Sequence, residues 1–208
     1  MDRSAQNSRL SSDDYRQQQL ALHESAADTG IMYGGAATQY APLVAEIVNK
    51  LEVTHLLDYG CGSKLKLPEA LKRCGIKHRL TYQAYDPCVP KYASPPVPAE
   101  MVACIDVLEH IEEDRIDAVL DDLEQLIEAV GVFTVCTRPA LKFLPDGRNA
   151  HVLQRPPEWW LPRIMCRFEL QTYQVTWKSP TIDEHLKFYV VVNALPRSIE
   201  ATDGRKLT

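Results

Sequence analysis

Hydrophobic and polar positions follow two alternating patterns along this chain. Short apolar runs, typical of buried strands, are separated by segments with apolar residues every three or four positions, typical of amphipathic helices. Strands are predicted at 53–59, 79–85, 101–105, 131–137, 168–178 and 185–193, and helices at 13–25, 42–51, 68–74, 114–130 and 156–166. The alternation predicts an α/β fold: a doubly wound, Rossmann-like, mostly parallel sheet with a C-terminal antiparallel strand pair.

The pattern also divides the chain into three parts. Residues 1–35 are predicted to be an N-terminal polar segment, loose up to Ser12, with a helix from Asp13 that could act as a lid. Residues 36–195 are predicted to form the main domain, and 196–208 a flexible tail. Segment 86–99 holds five prolines, which predicts an extended loop with one short strand.

Composition narrows the class of protein. The chain has 208 residues and a net charge of −5, which argues against a protein that coats nucleic acid or anionic membrane. No apolar run reaches the length of a membrane span, and the N-terminus lacks a signal-peptide pattern. The six cysteines form no C-x-x-C pair, so we expect free thiols, a cytoplasmic location and no metal site.

An acidic residue stands at or directly after the end of each of the first three predicted strands. Asp58 begins an Asp-Tyr-Gly-Cys-Gly motif, Asp86 follows the second strand, and Asp106 begins Asp-Val-Leu-Glu-His after the third. The carboxyl ends of parallel strands share one sheet edge, and open α/β sheets bind ligands there. The three acids therefore predict a site for a nucleoside-containing cofactor.

The residue types in these motifs suit such a ligand. Gly60 and Gly62 allow a tight turn and close approach of a ligand to the backbone, and the next helix directs free N–H groups toward it. An acid such as Asp86 can accept hydrogen bonds from both ribose hydroxyls. Each motif alone also fits a purely structural turn or a solvated loop acid.

Taken in order and spacing, these motifs resemble those of the class I S-adenosylmethionine-dependent methyltransferases, over residues 40–193. The resemblance implies S-adenosylmethionine as cofactor and methyl transfer to a small-molecule or nucleotide-linked acceptor. It implies that Asp58 holds the methionine ammonium, and that Gly62 and Asp86 contact opposite ends of the cofactor, with Asp86 on the ribose. The cofactor-binding set so implied is Asp58, Gly60, Cys61, Gly62, Asp86, Ile105, Asp106 and Val107.

Two features keep other functions open. Lys64 occupies the position where the family often has a third glycine. The segment 86–99 is short and rich in proline, so we expect the crossover helix and the adenine-side wall of the cofactor site to be reduced relative to the family. A non-catalytic binding module, acting through the pocket or through the acidic helix at 114–128, would fit both. An NAD-binding Rossmann protein is a further alternative, although Leu65 stands where G-x-G-x-x-G requires glycine.

Candidate catalytic residues are histidines that could take a proton from the acceptor. His151, in a long loop, and His110, after the third strand, are the two candidates, with His23 in reach if the N-terminal helix closes. Arg138, Arg148 and Arg155 could bind a phosphate or carboxylate of the substrate. Solvated or structural roles are the alternatives for all of them.

Overall fold

A six-stranded sheet forms the centre of the computed structural model, which describes residues 3–29, 35–178 and 185–195. The strand order is β2-β1-β3-β4-β6-β5. The first four strands pair in parallel, and β6 runs antiparallel to both β4 and β5. This arrangement confirms the predicted sheet and its C-terminal pair. The strands are β1 (His55–Tyr59), β2 (Thr81–Tyr85), β3 (Ala99–Ile105), β4 (Ile127–Cys136), β5 (Phe168–Lys178) and β6 (His185–Ala194).

Helices cover both faces of the sheet. Alternate side chains of the central strands point to opposite faces, so each strand contributes to two cores. Leu56 packs with the core under α3 and α4, and Leu57 packs with the core under α5 and α6. The helices are α1 (Arg3–Leu10), α2 (Asp13–Thr29), α3 (Gly35–Leu51), α4 (Lys66–Cys74), α5 (Ile116–Leu126) and α6 (Pro157–Met165).

The N-terminal segment is more ordered than predicted. Residues expected to be loose form α1, and Leu10 at its end is buried in the main core. The predicted helix from Asp13 is confirmed as α2. Ser12 caps it, since its Oγ accepts the Tyr15 N–H at 3.1 Å. Within the same region, the side chain of His23 lies outside the described part of the chain.

Two predicted helix boundaries were wrong. The helix expected over 114–130 ends at Leu126, and Ile127 and Val130 belong to β4, where both are buried. Their apolar side chains suit either a helix stripe or a buried strand, and pairing of Ile127 with Ala99 selects the strand. Pro42 lies inside α3 rather than at its start. Proline has no N–H to donate within the helix, and because Pro42 is exposed, the carbonyl that lacks this donor can bond to water instead.

The strand predicted between residues 86 and 99 was also wrong. This segment forms a short 3₁₀ turn, Pro90–Tyr92, and then runs without strand structure to the start of β3. The Asp86 N–H donates to the Tyr92 carbonyl at 3.0 Å, so the loop folds back on itself. Prolines cannot donate to a strand ladder, which is why five of them prevent one here.

All six cysteines have free thiols, as predicted. None of the helices in the described part of the chain combines the length and the apolar character that crossing a membrane requires.

Candidate functional site

A cavity of about 410 Å³ opens at the carboxyl ends of the parallel strands. The ten residues predicted as cofactor-binding or catalytic all line it, although they come from separate parts of the chain. Leu10, Tyr15 and Gln19 from the N-terminal helices complete one wall. The ten are Asp58, Gly60, Cys61, Gly62, Asp86, Ile105, Asp106, Val107, His110 and His151.

The glycine loop between β1 and α4 forms one wall of this cavity. Gly60 has φ +81°, and its N–H donates to the Tyr85 carbonyl at 2.8 Å. A Cβ at this position would lie 2.3 Å from Val107 Cγ2, so only glycine fits. Gly62 also has a positive φ, +63°, but a Cβ there would meet no atom within 4 Å. Gly60 is therefore required by packing, and Gly62 faces open space.

Asp86 holds the shape of the glycine loop. Its Oδ2 accepts the Gly62 N–H at 3.0 Å, and its Oδ1 accepts the Cys88 N–H at 2.9 Å. Gly62 and Asp86, which the resemblance put at opposite ends of a cofactor, are thus in direct contact. A carboxylate oxygen can accept more than one hydrogen bond, so the contact leaves Asp86 able to bind ligand hydroxyl groups.

Asp58 is buried below the glycine loop. The pKa of its carboxyl is raised from 3.8 to about 7, and burial is the largest cause. A hydrogen bond from the Tyr82 hydroxyl acts to lower this pKa, and the charge of Asp86 acts to raise it. The carboxyl is therefore poised to ionise near neutral pH. A ligand cation placed beside it would favour the ionised form.

Asp106 lies in an ion pair that the sequence does not reveal. Its φ is +54°, which aspartate tolerates better than most residues. The Thr134 hydroxyl donates to Oδ1 at 2.8 Å, and Lys187 Nζ donates to Oδ2 at 2.7 Å. Lys187 comes from β6, and its approach to Asp106 follows from the antiparallel pairing of β6 with β4.

The two predicted catalytic histidines lie side by side in the lining of the cavity. The His110 and His151 rings meet edge to face, with centroids 4.8 Å apart. His110 Nδ1 lies 2.8 Å from the Ala150 carbonyl oxygen, and His151 Nδ1 lies 2.7 Å from that of Arg138. A carbonyl only accepts, so Nδ1 carries a hydrogen in both rings.

Glu109 is a buried acid beside these histidines, and sequence reasoning assigned it no role. Its side chain is fully buried, and its Oε1 accepts the Cys136 N–H at 3.0 Å. Burial raises the pKa of Glu109 well above its ordinary value, Asp106 raises it further, and His151 lowers it. Glu109 stands among other charged residues in the sequence, between Asp106 and Glu112, so no sequence signal singles it out.

The three predicted arginines do not share this cavity. Arg138 lines it, together with Lys64 and Lys142. Arg148 instead pairs with Asp146 and Asp14, and Arg155 pairs with Glu113. Of the three arginines, only Arg138 therefore adds positive charge to the cavity lining.

Comparison with solved structures shows which fold this is. The 1,6-didemethyltoxoflavin-N1-methyltransferase of Burkholderia thailandensis, crystallised with 1,6-didemethyltoxoflavin and S-adenosylhomocysteine, superposes with a TM-score of 0.60 at 15% identity, covering 88% of this chain and 90% of that one. The methyltransferase domain of bacterial CtHen1-C gives a TM-score of 0.52 at 12% identity, covering 75% and 97%. The Pnkp1/Rnl/Hen1 RNA repair complex gives 0.50 at 15% identity, covering 78% of this chain and 42% of that one.

The protein has the fold of class I S-adenosylmethionine-dependent methyltransferases. At these identities the likeness concerns the fold alone. No protein-family model matches the sequence, and comparison with curated proteins gives no match.

Proposed function

We propose that the protein binds S-adenosylmethionine in this cavity and transfers its methyl group to a small-molecule or nucleotide-linked acceptor. The observation that carries the proposal is the convergence of all ten predicted residues on one cavity. That cavity lies at the edge of the sheet where open α/β folds bind ligands. The shared fold with structures that hold S-adenosylhomocysteine supports the choice of ligand.

At the cofactor end, the glycine loop and two acids each contact a different part of the ligand. Asp86 accepts hydrogen bonds from the ribose hydroxyls while it keeps its bond to Gly62. Asp58 balances the methionine ammonium, and its burial makes that charge pairing strong. Cys61 and the 105–107 stretch, which also line the cavity, complete this end.

The acceptor end lies beside the two histidines. His110 and His151 border it, and Arg138 and Lys142 supply positive charge that suits a carboxylate or phosphate on the acceptor. The sulfonium methyl group is already activated, so the protein mainly aligns the acceptor, an effect worth up to about 7–11 kcal/mol in ideal cases. A base is needed only where the acceptor must lose a proton.

The acidic helix is a weaker basis for a binding-module function than the sequence suggested. Asp117 and Asp121 of α5 pair with Arg167 of the same chain, at 3.2 and 2.7 Å. Asp122 accepts a hydrogen bond from the Tyr59 hydroxyl at 3.0 Å. Much of the acidic face is therefore engaged within the fold. The free thiols suit a reducing compartment, and the cytoplasm is the location we propose.

Calorimetric titration with S-adenosylmethionine, S-adenosylhomocysteine and NAD tests the proposal. We expect the first two to bind, Asp86→Ala to weaken both by at least about tenfold, and the exposed control Glu46→Ala to leave them unchanged. Binding of NAD alone would favour the Rossmann alternative, and absence of all binding would favour the binding module. Transfer of a deuterated methyl group into metabolite and RNA extracts would then identify the acceptor.

A further inference from the structure

Three side chains that can bind a metal ion converge beside the acceptor end of the cavity. A Glu109 carboxylate oxygen, Cys136 Sγ and a His151 ring nitrogen all lie within 4.8 Å of one another. Among the side chains that the structure describes, no other group of three histidine, cysteine, aspartate or glutamate residues comes together this closely. The three residues come from three separate segments: the turn after β3, the end of β4 and the following loop.

The Glu109 carboxylate has one oxygen that the protein does not satisfy. The Cys136 N–H fixes Oε1 at 3.0 Å, which brings the two ligand side chains together. Oε2 is buried and has no hydrogen-bond partner. An unsatisfied buried carboxylate oxygen is costly, and native structures usually pair it with a donor, a water or an ion.

His151 is oriented as a metal-binding histidine is. Its Nδ1–H donates to the Arg138 carbonyl at 2.7 Å, which leaves the Nε2 lone pair available. Its backbone N–H donates to Asn149 Oδ1, and the same Asn149 side chain bonds both the N–H and the carbonyl of Ala140, each at 2.9 Å. Histidines that bind metals commonly donate their other ring N–H to a carbonyl, which fixes the tautomer and the ring plane.

We propose that Glu109, Cys136 and His151 form a zinc site with a fourth coordination position open to the cavity. Zinc accepts this mixture of carboxylate, thiolate and imidazole ligands. In a tetrahedral zinc site the ligand atoms lie about 3.5 Å apart, so these side chains need to approach by roughly 1 Å. Cys136 and His151 line the cavity, so the open position faces the bound acceptor.

The open position gives the site a chemical role. Three protein ligands with one exchangeable position are typical of catalytic rather than structural zinc. The ion would bind and polarise an oxygen of the acceptor, which points to a hydroxyl, phenol or carboxylate acceptor. His151 then serves as a metal ligand rather than as a base.

Metal analysis tests this site without any assay of methyl transfer. The full chain is loaded with zinc, dialysed against buffer with a weak chelator, and measured by mass spectrometry of the metal. We expect about one zinc ion per wild-type chain and almost none in Cys136→Ala or His151→Ala. The matched control is Cys104→Ala, which removes a buried thiol from the neighbouring strand β3 and should keep the ion.

Cobalt substitution gives a second readout that does not depend on zinc content. A thiolate-to-cobalt absorption band should appear in the wild type and in Cys104→Ala, and disappear in Cys136→Ala, with thermal unfolding checked for each variant. Zinc-free wild-type protein, or equal zinc in wild type and Cys136→Ala, would overturn the proposal. Calorimetry with S-adenosylmethionine on the same samples separates failure of this site from failure of the proposed cofactor.

Discussion

Gly62 donates its backbone N–H to the Asp86 carboxylate at 3.0 Å, which ties the loop after β1 to the end of β2. One side chain thus shapes the glycine loop and also faces the cavity that the loop borders. A ligand that binds Asp86 therefore meets a loop already held in place. Preorganisation of this kind lowers the entropic cost of binding, because the loop does not have to be ordered when the ligand arrives.

The two loop glycines are expected to respond differently to alanine. In Gly60→Ala the new methyl group would lie 2.3 Å from Val107 Cγ2, in a backbone with φ +81°. We expect a loss of about 2–4 kcal/mol in the free energy of unfolding, from steric overlap and backbone strain together. Chemical denaturation of wild type and Gly60→Ala measures this change in the free energy of unfolding.

Gly62→Ala and a second-site variant serve as controls for that prediction. Gly62 has φ +63° with no atom near the added Cβ, so its alanine variant should lose only about 1–2 kcal/mol, from strain alone. Val107→Ala removes both γ-methyl groups that would overlap with the methyl group added in Gly60→Ala. The double variant Gly60→Ala/Val107→Ala should therefore recover part of the lost stability. Equal losses for the two glycines would contradict the packing argument.

Asp58 is expected to make stability depend on pH. Its pKa rises from 3.8 to about 7 in the folded protein, so the folded state binds the proton more tightly than the unfolded state. The stabilisation is then fully present below about pH 4 and is lost as the pH rises toward about 7. Asp58→Asn removes this dependence, so the variant should match wild type at low pH and exceed it above neutrality, by on the order of 4 kcal/mol.

Denaturation curves collected across this pH range check the Asp58 prediction. Glu46→Gln alters an exposed carboxyl and should run parallel to wild type at every pH. The same Asp58→Asn protein should bind S-adenosylmethionine more weakly, because it has lost the partner that we propose for the ammonium group. A constant stability difference between Asp58→Asn and wild type would show that Asp58 ionises normally.

The Asp106–Lys187 pair should contribute measurably to stability. Their side chains are 28% and 15% exposed, and the Nζ to Oδ2 distance is 2.7 Å. A double-mutant cycle of Asp106→Asn and Lys187→Met should give a coupling energy of about 1–2 kcal/mol, above that of a solvent-exposed pair. The exposed pair of Arg155 and Glu113, treated in the same way, should give a value near zero. Similar values for the two cycles would mean that burial adds nothing.

The positions of the residues predicted to bind the cofactor, all of which line one cavity, were predictable because they depend on local order along the chain. Asp58 lies in the last two residues of β1, and Asp86 and Asp106 directly follow β2 and β3. Parallel strands bring their carboxyl ends to one edge whatever the details of packing. The tight turn needs glycine at position 60, where φ is +81°. A short pattern in the sequence was enough for each of these.

Partners from distant strands and helices were not predictable in the same way. Lys187 reaches Asp106 across 81 positions of sequence, and Ser12 reaches Glu112 across 100. Such contacts depend on which strands become neighbours, and spacing does not encode that. The end of α5 was missed for another reason: Ile127 suits a helix stripe and a buried strand equally well.

Glu112 anchors the N-terminal helices to the main domain. Its two carboxylate oxygens accept the Ser12 N–H at 2.8 Å and the Ser12 hydroxyl at 2.7 Å, and that hydroxyl oxygen also caps α2. Tyr15 of α2 lines the cavity, so the anchor also positions a wall of the site.

Loss of this anchor should loosen α1 and α2 while the sheet stays intact. In Glu112→Ala both Ser12 donors lose their acceptor, which should lower the local stability of the two helices by about 1–3 kcal/mol. Hydrogen exchange should therefore accelerate in α1 and α2 and remain unchanged in β3 and β4. Glu113→Ala is the matched control, because that neighbouring carboxylate is exposed and pairs with Arg155 instead. Unchanged exchange in Glu112→Ala would mean that the N-terminal helices are held by their apolar contacts, such as Leu10 in the core, rather than by Glu112. Equally faster exchange in both variants would mean that the contact with Ser12 is not the cause.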